Sequence, residues 1–172
     1  TQILDEADIP RFAKLGIIAS MQGIHATSDL PWAPDRLGER RTEEGGYVWQ
    51  KLLKEGVKII NGTDAPVEHV NPIASFYASV TRKSPDGNPK GGMYPDQRMS
   101  REEALRSYTL DAAYGSFHED KLGSIETGKL ADITVLSKDI MTVPEDEILS
   151  TEVTFTIVDG KVRYEKSKAM IP

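Results

Sequence analysis

Apolar positions along the chain recur first at helical spacing, then in short continuous runs, and the two patterns alternate. Asp8 is expected to cap a first helix, with Pro10 in its first turn. Phe12 and Leu15 form its apolar stripe and Gly16 stops it. Ile17 to Met21 follows as an unbroken apolar run, which predicts a strand buried on both faces, as in a parallel sheet. After a polar stretch broken by Pro31 and Pro34, Glu44 to Glu55 has helical spacing. Tyr47, Val48, Leu52 and Leu53 are available for one face, and Gly56 closes it. A second strand is predicted over Val57 to Ile60. Asn71-Pro72 then opens a helix in cap-then-proline order, with Ile73, Phe76, Tyr77 and Val80 as its stripe. This alternation predicts an α/β fold with parallel strands and crossover helices.

Ser84 to Gln97 is rich in proline and glycine and reads as a loop. Ser100 and Glu103 have capping-box spacing for a helix running to about Gly115. Beyond it the style changes. Leu130 to Leu136 reads as a strand, and Asp159-Gly160 is a hairpin turn between Thr151 to Val158 and Lys161 to Tyr164. The chain is therefore expected to close in a small antiparallel element.

Composition narrows the function classes. The 172 residues carry a formal charge of −6 and no cysteine. Disulfides, thiolate chemistry and cysteine-based zinc sites are excluded, and a cytoplasmic setting fits. The acidic balance argues against a nucleic-acid partner, because Arg36, Arg40 and Arg41 are interleaved with acids instead of forming a basic stripe. No apolar run approaches the roughly 20 residues of a membrane span, and no charged-then-apolar leader opens the chain.

The candidate chemistry sits at the ends of the two predicted parallel strands, the edge where α/β folds collect ligands. Asp64 closes the second strand, just before Ala65-Pro66. Two readings of it stay open: a carboxylate capping the next turn through backbone amides, or one that binds a divalent metal and moves a proton. His25 and Gln22 follow the first strand. His69 lies five residues after Asp64, and His118 follows the capping-box helix. For each histidine a structural role competes with a functional one, and none is paired as His-x-His or His-Glu-x-x-His. A catalytic zinc wants about three protein ligands plus water, which this chain does not visibly supply alone.

The runs Ile18-Ala19-Ser20-Met21-Gln22, His25-Ala26-Thr27-Ser28-Asp29 and Gly62-Thr63-Asp64-Ala65-Pro66-Val67-Glu68 resemble the family-3 branch of the amidohydrolase superfamily. So do Asn71-Pro72, Ser100 to Leu105, and Leu122 to Asp132. The resemblance implies the C-terminal part of a TIM (β/α)8 barrel, its last two strands and helices, over residues 1–118. Residues 119–172 would be strands of a small composite β-sandwich. It also implies a metal-dependent hydrolase of C–N bonds in small amide-like substrates, such as N-substituted amides or formamides, with zinc as the expected divalent metal. On this resemblance Asp64 matches the metal-touching, proton-shuttling aspartate, and Gln22 and His25 match positions near the substrate. Gly23 stands where the family has proline, so a looser loop before His25 is expected.

The family's other histidine ligands have no counterpart here, and Thr1-Gln2 resembles the residues just after one of them. The chain is thus expected to be a C-terminal portion, inactive alone, that self-associates through open strand edges. A non-catalytic oligomerisation or binding module is the alternative.

Overall fold

The computed structural model describes residues 1–166. The first helix, α1 (Ile9–Leu15), follows a 3-10 turn at Glu6–Asp8. The cap of that turn is Asp5, whose carboxylate accepts from the Ala7 N–H at 3.0 Å, while Asp8 is itself helical and caps nothing. Ile9 is the buried residue of α1, and the expected stripe residue Leu15 is largely exposed. Gly16, at φ 65°, stops the helix in the left-handed conformation that a side chain resists.

The chain then enters β1 (Ala19–Gln22), and its parallel partner is β2 (Ile59–Gly62). Both strands begin about two residues later than their apolar runs. Burial on β1 alternates: Ala19 and Met21 are buried while Ser20 is exposed. The expectation of a strand buried on both faces is thus met on one face only.

Between the strands lie α2 (His25–Asp29), α3 (Ala33–Leu37), α4 (Glu39–Gly45) and α5 (Trp49–Lys54). The single helix expected over Glu44 to Glu55 is split by Gly45-Gly46 and Tyr47. The split serves the start of the chain, because Leu4 donates to the Gly45 carbonyl at 2.9 Å and Ile3 bridges Gly46. A Cβ on Gly45 would lie 1.9 Å from the Leu4 carbonyl oxygen, so only glycine admits this approach. Tyr47 itself is left-handed at φ 52°.

Beyond β2, α6 (Pro72–Thr81) has the expected Asn71 cap, accepting from the Ile73 N–H at 3.0 Å. Its apolar stripe is buried as expected, and so are Ser75, Ser79 and Thr81 on other faces. The capping box of Ser100 and Glu103 is formed at the start of α7 (Arg101–Tyr108). Thr109, at φ −122° and ψ −90°, then interrupts the predicted long helix, and α8 (Leu110–Gly115) continues it.

The closing element is a three-stranded antiparallel sheet of β3 (Ile133–Leu136), β4 (Val153–Val158) and β5 (Lys161–Glu165). Asp159 and Gly160, at φ 52° and 69°, make the expected tight turn. This sheet contributes little to the core. That core instead gathers Met21, Trp49, Leu52, Ile59, Phe76 and Met99, and takes in Ile140 and Ile148 from the segment leading to β4.

Candidate active site at the strand ends

Because β1 and β2 run parallel with Gln22 opposite Gly62, both strands release their chain at the same end of the sheet. Gln22 closes β1, His25 follows three residues later, and Asp64 follows Gly62 by two. The topology thus gathers the expected site residues at one edge, as it does in α/β enzymes generally.

Asp64 is exposed and left-handed, at φ 57°. The turn after it is closed by its backbone, the Asp64 carbonyl accepting from the Val67 N–H at 2.7 Å. Its carboxylate therefore does not do the capping work that the alternative reading assigned to it. Among the described residues no hydrogen bond or ion pair engages that carboxylate. Its carboxylate is left free for a ligand or a proton. His69, farther along the same loop, is exposed and its Nδ1 accepts from the Asn71 N–H at 3.1 Å, a local turn contact.

His25 opens α2 and is 6% exposed. Its Nδ1 lies 2.7 Å from Gln2 Nε2, while Nε2 is buried without a partner among the described residues. One ring nitrogen is thus held and the other is unspent. Asp29, at the far end of α2, accepts a short hydrogen bond from the Tyr47 hydroxyl. Burial and that neighbouring carboxylate push the Tyr47 hydroxyl well above the usual tyrosine range. The Tyr47 carbonyl in turn accepts from Arg82 Nη1 at 3.0 Å. Arg82 is fully buried, stacks on Trp49 with 4.5 Å to the ring centroid, and its Nε donates to the Met93 carbonyl at 2.9 Å. Burial lowers its pKa to about 10.

Residues that the sequence did not single out hold the backbone leading to His25. Asn61 Oδ1 accepts from the Gly23 N–H at 2.7 Å, and Ser75 Oγ accepts from the Ile24 N–H at 3.1 Å. A Cβ on Gly23 would lie 2.2 Å from Ser79 Oγ and 2.8 Å from the Ser75 carbonyl oxygen. The loop expected to be loose is anchored and tightly packed instead. The signal for this was Asn61, a polar residue inside an otherwise apolar strand.

A metal cofactor would need several ligands converging. Among the described residues no three of His, Asp or Glu gather in a geometry that holds an ion. Asp64 offers one carboxylate that is unpaired among the described residues, so those residues contribute a share of a metal site and do not close one. No helix among the described residues is long and apolar enough to cross a membrane.

A family model described as the amidohydrolase family matches residues 1–164. The chain is 32% identical over 166 residues to the YtcJ protein of Bacillus subtilis, covering 96% of this chain and 31% of that protein. It is 33% identical over 130 residues to the N-substituted formamide deformylase of Arthrobacter pascens, covering 76% of this chain and 23% of that enzyme. Among solved structures it resembles a metal-dependent hydrolase from Pyrococcus horikoshii OT3, whose function is uncharacterized. The TM-score is 0.73 at 29% identity, over 84% of this chain and 29% of that one. The chain thus spans between a fifth and a third of the length of these relatives.

Proposed function

This chain belongs to the amidohydrolase family, and on that premise we propose that it is the C-terminal part of a metal-dependent hydrolase cleaving C–N bonds of amide-like substrates. Residues 1–118 are the last two strands and helices of a TIM (β/α)8 barrel in this reading, and residues 119–172, of which 167–172 lie outside the described residues, belong to a composite β-sandwich. The observation that carries it is the unpaired Asp64 carboxylate at the carboxyl end of a parallel strand, beside the end that bears Gln22 and His25. The N-substituted formamide deformylase among its relatives supports an N-substituted formamide or amide as substrate.

The chemistry assigned to these residues is a proton transfer. Water adds to the carbonyl carbon, Asp64 takes its proton, and the same carboxyl group returns that proton to the amine nitrogen as the C–N bond breaks. Gln22 and His25 hold the substrate. The cofactor of the intact enzyme is a divalent metal, zinc in this reading, with its remaining ligands outside this chain. We place the enzyme in the cytoplasm, in keeping with the absence of cysteine.

For the chain alone, no turnover of N-substituted formamides is expected even with zinc added. Turnover that Asp64→Asn abolishes would show that the site is completed without further residues. In a longer form carrying the missing ligands, Asp64→Asn is expected to lower kcat about 10²- to 10⁴-fold. An unchanged kcat there removes Asp64 from the mechanism.

The exposed antiparallel sheet favours a second reading, a non-catalytic module that binds or oligomerises through its open edges. On that reading Asp64→Asn changes nothing measurable, whereas charges placed on the strand edges abolish assembly.

A further inference from the structure

We propose that Asn61 is a positioning residue for the Gln22–His25 segment, supplying from β2 the acceptor that holds the Gly23 N–H in the turn leading into α2; this rests on the reading of Gln22 and His25 as substrate-holding residues. The helix α2 has only five residues, and its N-cap, Ile24, has no side-chain oxygen to offer. A helix this short does not stand by itself. What leads into it are the N–H groups of Gly23 and Ile24. Both are taken by side chains from other elements, Asn61 Oδ1 at 2.7 Å and Ser75 Oγ at 3.1 Å.

The orientation of the Asn61 amide is fixed by proton bookkeeping. Ser107 Oγ donates to the Ala104 carbonyl at 2.7 Å, so toward Asn61 it accepts, and Asn61 Nδ2 lies 3.2 Å away. Ser79 Oγ likewise donates to the Ser75 carbonyl at 2.9 Å and accepts a longer contact from Asn61 Nδ2 at 3.4 Å. With both hydroxyls spent as donors, the amide nitrogen faces α6 and α7, and Oδ1 faces Gly23. A flipped amide would set two donors against each other. Asn61 therefore ties β2, α6 and α7 to the turn from which His25 projects. The close fit of Gly23 against Ser79 allows that turn no sideways slack.

Amide hydrogen exchange at Gly23 and the imidazole ¹⁵N signals of His25 test this without turnover or metal. Failure here is therefore distinct from failure of the hydrolase reading. In Asn61→Leu, which keeps the branching at Cγ and removes the acceptor, Gly23 is expected to exchange about tenfold faster, the scale of one lost hydrogen bond. The His25 signals are expected to shift. In Asn61→Asp, which keeps an acceptor for Gly23, both are expected to stay near wild type. Ser100→Ala, a destabilising change elsewhere, is expected to leave the His25 signals in place. Unchanged exchange and signals in Asn61→Leu overturn the proposal. So does Asn61→Asp behaving as Asn61→Leu, or Ser100→Ala moving His25 equally. Should Asn61→Leu not fold, Ser107→Ala combined with Ser79→Ala removes both acceptors that orient the amide. Faster Gly23 exchange there supports the proposal, and no change overturns it.

Discussion

Two polar groups are held in the interior, the Arg82 guanidinium and the Tyr108 hydroxyl. Arg82 lies at the end of α6 with no ion pair among the described residues, holding the Tyr47 and Met93 carbonyls and stacking on Trp49. Arg82→Ala removes both donors and the stacking surface, leaving two carbonyls without that partner. It is expected to cost about 3 kcal/mol in urea unfolding, and Arg82→Lys to recover little, because one ammonium cannot reproduce the planar fork. Tyr108 raises a different issue. Burial pushes its hydroxyl up to about 12 from the usual 10. The folded state thus holds this proton more tightly than the unfolded chain. Its contribution is fully present below pH 10 and lost as pH rises from 10 through about 12. Tyr108→Phe is expected to flatten that part of the stability profile, read by unfolding at fixed pH values. An unchanged slope would mean that the hydroxyl titrates equally in both states.

At the scale of elements, local signals worked where the deciding contacts are local. The Asn71 cap, the Ser100–Glu103 box and the Asp159-Gly160 turn were all legible, because each is closed by residues a few positions apart. Ser100→Ala is accordingly expected to cost about 1 kcal/mol, measured as a lower midpoint of unfolding with unchanged slope. Where a distant segment intervenes, the pattern misled. The helix expected over Glu44 to Glu55 breaks because the backbone at Ile3 and Leu4 comes against Gly45 and Gly46, and no local rule announces that approach. The same holds for α2, hidden in a stretch read as polar, since the Gly23 and Ile24 N–H groups in the turn that leads into it are held from β2 and α6. The loop before His25 was expected to be loose on the strength of Gly23. Its tight packing against Ser79 became visible only with α6 in place.

For the whole molecule, the decisive feature is how little the two sheets are covered. Among the described residues no third strand joins the parallel pair, β5 is exposed along its length, and Val135, Val158, Val162 and Tyr164 all face solvent to a large extent. A groove of about 620 Å³ between α7, α8 and β3, lined by Leu105, Leu122, Ile133 and Leu136, adds apolar surface. Open edges and apolar faces of this kind drive association. At micromolar concentration the chain is expected to sediment heavier than its 19.0 kDa monomer. A single monomeric species that unfolds cooperatively would show that the core around Trp49 and Phe76 suffices. A full (β/α)8 barrel takes about 250 residues, so a chain of this length does not hold one.

By itself the sequence determined the helix–strand alternation, the antiparallel close and the identity of Asp64 as the strand-end acid. These depend on periodicity and on turn chemistry within a few residues. It also carried the family resemblance, because whole runs such as His25-Ala26-Thr27-Ser28-Asp29 stand together in the chain. Only the tertiary structure decided that, among the described residues, the Asp64 carboxylate and one buried His25 nitrogen have no partner, and that Asn61 holds the turn leading to His25. Each of those depends on groups brought together from separate elements. Side-chain satisfaction is settled by three-dimensional neighbours, and the order of residues does not name them.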